Sequence, residues 1–267
     1  MIKSLRMLFE LISYLIAGSM AGILAGMFGV GGGILIVPIL TFIFLSLGFN
    51  DSYVTHLAVG TSLSTIIFTG LSSARAHFYK NAINFQAFYP VATGISIGCI
   101  AGAFVANLLD GIVLRKIIGI FALIIAIQIY IAKNQIKTFK ASSSIAFISG
   151  SGIGGISTIL GIGGGSFTVP FFKYSGLDMK VCIGTAAACG VPIALFGSIS
   201  FIALGLDNSN LPEHSLGYVY LPALIGISLS SVFTASIGAN IAHSVSDKML
   251  SILFSIMMVV ISAYMLF

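Results

Sequence analysis

An all-α polytopic membrane protein made of two inverted repeats is the fold the sequence predicts, and three observations predict it. Of the 267 residues, 58% are hydrophobic and only 7% charged, with a mean hydropathy of +1.12. That composition leaves no soluble domain large enough to fold by itself. A decapeptide occurs twice inside apolar sequence, as Gly29-Val30-Gly31-Gly32-Gly33-Ile34-Leu35-Ile36-Val37-Pro38 and as Gly161-Ile162-Gly163-Gly164-Gly165-Ser166-Phe167-Thr168-Val169-Pro170, with six of ten positions identical. Further landmarks repeat at a constant spacing of 132: Gly18, Ser19 and Gly22 fall on Gly150, Ser151 and Gly154, Pro90 and Gly94 on Pro222 and Gly226, and Lys116 on Lys248.

In chain order, apolar segments run over 5–28, 34–49, 54–73, 85–109 and 112–132, and a second five over 144–160, 166–175, 181–206, 217–241 and 249–267. The basic start, Met1 to Arg6, resembles a signal peptide, but its apolar run leads straight into the first glycine motif and reads as a retained helix. Residues 133–143 form the one long polar connection, so the chain divides into a repeat at 1–132, a linker, and a repeat at 144–267. Gly60-Thr61 matches Gly184-Thr185 at a spacing of 124, which shortens the loop after the second motif; the stretch from Asp207 to Ser215 restores the length.

Segment length identifies the interrupted helices. At about 1.5 Å per residue, 166–175 reaches roughly 15 Å, half of a hydrocarbon core of about 30 Å. Segment 34–49 reaches roughly 24 Å and is short or oblique. Each motif therefore sits in a broken or re-entrant helix, and crossing or turning back leaves later loops on the same sides. One side collects Arg75, Lys80, Lys133, Lys137, Lys140, Lys173, Lys180 and Lys248; the other has Lys3, Arg6, Arg115 and Lys116. Eight against four makes the first side cytoplasmic and both termini external. An odd number of crossings per repeat then inverts the halves, an architecture of secondary transporters with a site near mid-membrane.

The candidate site follows from backbone chemistry. Consecutive glycines leave helical geometry without steric cost, and a helix restarting at Ile34 or Ser166 has unpaired N–H groups. In lipid these need protein, water or a ligand. A helix N-terminus carries roughly half a positive charge and converging donors, which suits a small oxyanion. The candidate binding residues are Gly29, Gly31, Gly32, Gly33 and Ile34 with Gly161, Gly163, Gly164, Gly165 and Ser166. The pairs Gly60-Thr61 and Gly184-Thr185 join them, the threonine hydroxyls facing the ligand or bonding back to a carbonyl four residues earlier. Ser62, Ser64 and Thr65 extend a polar stripe behind Thr61 that the second half replaces with Ala186, Ala187 and Ala188. Glycine also lets membrane helices pack closely, which is the competing role for these clusters. Pro38 and Pro170 are expected to kink their helices.

Other residues fit ordinary roles. His56, His77, Arg75 and Lys80 form a basic vestibule or, more commonly, snorkelling anchors. Cys99, Cys182 and Cys189 lie in apolar runs without metal-ligand spacing and read as free thiols, and no metal or cofactor is expected. Scattered lysines and arginines are membrane-loop anchors, which argues against nucleic acid despite the net charge of +5. Glu10 alone among the acids lies within an apolar run, so no buried proton carrier is evident.

The stretches Gly22 to Pro38 and Gly154 to Pro170, with both Gly-Thr pairs, resemble the sulfite exporter TauE/SafE family, also called toluene sulfonate uptake permeases. The resemblance covers nearly the whole chain. It implies an integral carrier in a plasma or bacterial inner membrane that moves sulfite, sulfonates or related organosulfur anions, with the lipid bilayer and a small anion as its partners and its oligomeric state open. Three alternatives stand beside it: an intramembrane hydrolase, a carrier of a cation or neutral metabolite, and a membrane assembly factor without flux. The first is disfavoured, because the sequence has no HExxH motif and no GxSxG elbow with a partner histidine at matching depth.

Overall fold

A computed structural model describes residues 2–28, 32–131, 141–244 and 247–267. Its order is α1 (Ile2–Phe28), α2 (Gly33–Ser46), α3 (Asp51–Tyr79), α4 (Phe85–Leu108), α5 (Gly111–Ile131), α6 (Ser143–Leu160), α7 (Gly165–Tyr174), α8 (Met179–Gly205), the hairpin strands β1 (Ser215–Leu216) and β2 (Val219–Tyr220), α9 (Leu221–Ser244) and α10 (Asp247–Leu266). Among the described residues, α3, α4, α5, α6 and α8 are long and apolar enough to cross a membrane. The all-helical, multi-pass expectation holds. The exterior is that of a protein solvated by lipid, with large apolar side chains such as Phe233 (75%) and Ile148 (69%) turned outward.

The starts of α3, α4 and α6 follow sequence chemistry, each opened by a capping side chain. Asn50 accepts from Ser52 N at 2.9 Å, Asn84 from Ala87 N at 3.0 Å and Ser142 from Ile145 N at 3.3 Å, each satisfying a donor that the helix leaves free. Helix α3 outruns the apolar segment that predicted it because its last turn is amphipathic: Arg75 lies over the Tyr79 ring at 5.6 Å and donates to its hydroxyl at 3.4 Å. The hairpin within the connection to α9 was not expected; it turns at Gly217 (φ 54°).

The pairings of the first five helices are repeated by the second five. Helix α1 packs on α9 and α6 on α4, α2 packs on α3 and α7 on α8, while α3 meets α8 and α5 meets α10. Glycine permits the closest crossings. A Cβ at Gly22 would stand 2.6 Å from the Ser231 carbonyl, and one at its repeat mate Gly154 would overlap that of Ile95. For these glycines, close packing is the observed role. Helix α3 is the central element, with 72% of its most apolar window buried against 33% to 44% for the other four spans.

Candidate functional site

Both glycine motifs fall at helix breaks, and the helices after them restart in the same way. Helix α6 stops at Gly161 (φ 69°), where Gly161 N donates to Thr158 O at 3.2 Å and Ile162 N to Ser157 O at 2.9 Å, a Schellman ending. Helix α7 restarts at Gly164 (φ 72°), whose carbonyl accepts from Phe167 N and Thr168 N, both at 2.9 Å. Helix α2 restarts identically at Gly32 (φ 73°), whose carbonyl accepts from Leu35 N at 3.1 Å and Ile36 N at 3.2 Å. Gly29 and Gly31 lie outside the described residues. Neither restart has a side-chain cap. The amides of Gly33 and Ile34, and of Gly165 and Ser166, find no acceptor among the described residues. Left-handed backbone at both restarts explains why glycine stands there.

The two breaks meet on α3. A Cβ at Gly33 would stand 2.6 Å from the Gly161 carbonyl and 3.0 Å from Ile162 Cα. Ser62 donates to Gly161 O at 2.8 Å and lies 3.4 Å from Gly33 O, so one hydroxyl spans both motifs. Ile66, one turn on, borders Gly33 and Gly163. The residues at this junction, Gly32, Gly33, Ile34 and 161–164, are buried, while Gly165 and Ser166 are partly exposed.

Three carbonyl groups at the junction are already engaged. Gly161 O accepts from Ser62, Gly32 O from two amides, and Gly164 O from two amides and the Thr168 hydroxyl at 3.0 Å. Pro38 and Pro170 each stand sixth in their short helices, where the missing N–H leaves the carbonyl four residues earlier without its usual donor.

The Gly-Thr pairs make a contact that neither expected role includes. Thr61 Oγ1 accepts from Tyr220 N at 2.9 Å, and Thr185 Oγ1 accepts from Asn84 N at 3.0 Å. Tyr220 and Asn84 each immediately precede a helix, α9 and α4. The neighbouring glycines admit the same approach, because a Cβ at Gly60 would overlap the Tyr218 carbonyl and one at Gly184 that of Ala82. Each pair thus ties a central helix to the entrance of a helix in the other half of the sequence.

Polar side chains divide unequally. The α3 stripe is spent on structure: Ser64 donates to Gly60 O at 2.9 Å and lies 3.1 Å from Ser198 Oγ, and Thr65 donates to Ser62 O at 2.7 Å. Ser157 on α6 and Ser166 on α7 instead carry buried hydroxyls with no partner among the described residues. Ser157 was missed in the sequence, although it lies four residues before Gly161, one turn from the break.

Among the basic residues, His56 is no part of a vestibule. It is 3% exposed, its Nε2 donates to Ala106 O at 2.9 Å, and its ring packs on Tyr218 at 5.1 Å. His77, Lys80 and Lys180 do line a cavity of ≈ 840 Å³ together with Asp178. All three cysteines are free and buried.

A lipid-facing bundle of spans that holds two broken helices in contact at its centre defines a multi-pass membrane protein of the transporter class. The chain belongs to the sulfite exporter TauE/SafE family, whose model matches residues 14–265. It is similar to a "Probable membrane transporter protein" of Haemophilus influenzae, 36% identical over 94% of this chain and 96% of the relative. A protein of the same description from Methanocaldococcus jannaschii is 30% identical over 94% of each chain, and the "Probable membrane transporter protein YunE" of Bacillus subtilis is 26% identical over 94% of this chain and 96% of its own length. No solved structure is a significant match.

Proposed function

We propose that the protein carries small anions across a cell membrane, sulfite, sulfonates or related organosulfur anions, and binds them at the paired half-helix N-termini. The observation that carries this reading is the pair of uncapped restarts at Gly32 and Gly164, whose first amides find no acceptor among the described residues, in two helix breaks that touch where Gly33 approaches Gly161. Two converging positive helix ends supply the potential that lysines usually provide. The exchange of helix pairings between the two halves supports an inverted repeat with its site at the repeat interface. With the lysine-rich loops cytoplasmic, export follows the inside-negative potential, worth about 2.3 kcal/mol per charge per 100 mV.

Reconstituted vesicles test the reading. Wild-type protein is expected to move labelled sulfite, and Gly32→Val or Gly164→Val to abolish flux without preventing insertion, since a β-branched residue at φ near 72° is strained by about 1–3 kcal/mol. Normal flux in a correctly inserted double variant contradicts the proposal. Absence of flux from wild-type vesicles favours an assembly role, and ion replacement in the same assay separates anion from cation transport.

A further inference from the structure

The two restarts share backbone geometry but not side-chain chemistry, and this bears on where the charge of the cargo sits. At the α7 restart the amides of Gly165 and Ser166 and two nearby hydroxyls all have no partner among the described residues. Ser157 is 0% exposed, and its Oγ stands 3.2 Å from where a Cβ on Gly164 would be. It therefore points at the first turn of α7. A buried hydroxyl without a partner is uncommon, because desolvation is offset only by a hydrogen bond. The second hydroxyl, Ser166 Oγ, is carried by that first turn itself.

At the α2 restart the positions 132 earlier are Ala25 and Ile34. Ile34 is buried and lines a small apolar cavity with Phe121, Ile125, Leu160 and Ile162. No hydroxyl accompanies its free amides from either of these positions. The polar side chains that the first half does carry, on α3, already serve the Gly161 carbonyl and α3's own backbone.

Building on the proposed anion carrier, we infer that the side-chain hydrogen bonds to the cargo's oxygens come from the α7 end alone, from the hydroxyls of Ser157 and Ser166 beside the amides of Gly165 and Ser166, while the α2 end contributes backbone amides only. Ser157 is the specificity-determining residue of this arrangement. Its hydroxyl donates to one oxygen of the anion, and the amides donate to the others.

The test uses purified full-length protein in vesicles with labelled sulfite. Ser157→Ala is expected to raise KM about tenfold, the scale of one hydrogen bond to a charged group, with Ser157→Thr restoring it because the hydroxyl returns. Ser166→Ala, an independent variant in a partly exposed position, is expected to raise KM in the same direction, and thermal stabilisation by sulfite to fall in parallel in both. An unchanged KM in both alanine variants of a transporting protein overturns the inference and leaves the carrier proposal standing. A wild type that moves no anion removes both.

Discussion

Helices α2 and α7 start from the same glycine motif and end up in different surroundings. Helix α2 runs fourteen residues, ten of them buried, and its first turn is Gly-Ile-Leu-Ile; α7 runs ten residues with only Thr168 and Phe172 buried, and opens Gly-Ser-Phe-Thr. The first is a structural post, fixed by apolar contacts and by Ser62 on α3. The second is the accessible half. The backbone geometry of the restart is the same in both copies, whereas the side chains around it differ, buried and apolar at α2 and partly exposed with a hydroxyl at α7. Keeping φ near 72° at both restarts requires glycine; no comparable constraint holds Ser157 or Ser166 to the identity of its repeat mate.

The valine variants at Gly32 and Gly164 give the largest expected effect, loss of flux from either copy, because both need left-handed backbone. A flux lost from one copy only would divide the pair where we treat it as one device. Next in size is Ser62→Ala. It leaves the buried Gly161 carbonyl without its 2.8 Å donor, and removing such a partner costs about 1–3 kcal/mol. The expected result is a clear drop in melting temperature in detergent, read against the counterpart change Ala186→Ser, which removes no bond. Equal shifts in the two variants would mean that Ser62 is not the bridge between the breaks.

The smallest effects concern the threonine ties. Thr61→Val and Thr185→Val each remove an acceptor from one backbone amide, at about 1 kcal/mol apiece. Amide exchange at Tyr220 is expected to speed up in the first variant only, and at Asn84 in the second only. Matching magnitudes would extend the equivalence of the halves to these contacts. Unequal ones would place a second asymmetry there.

Much of this was legible in the sequence and some was not, for physical reasons. The doubled motif, the short segments after it and the Gly-Thr spacing announce where helices break, because breakage is a local property of glycine φ and of length. The role of Thr61 is settled by a residue 159 positions away and that of Thr185 by one 101 positions away, and no local pattern encodes such a partner. Ser62 reads from the sequence as one member of a polar stripe; its bond to Gly161 crosses 99 residues. The hairpin ending at Tyr220 escaped a reading tuned to helical runs, since two-residue strands have no periodicity to detect. Ser157 escaped because a buried hydroxyl with no partner among the described residues has no signature in the sequence.

The central claim is that backbone amides, uncapped at the helix restarts, take the anion. Amide chemical shifts of ¹⁵N-labelled protein titrated with sulfite test it most directly. The account predicts saturable shifts at Gly165 and Ser166, larger than those at Gly33 and Ile34, and none with a sodium salt of a bulky organic anion that the junction excludes. Saturable sulfite binding that leaves all four amides unmoved would contradict it.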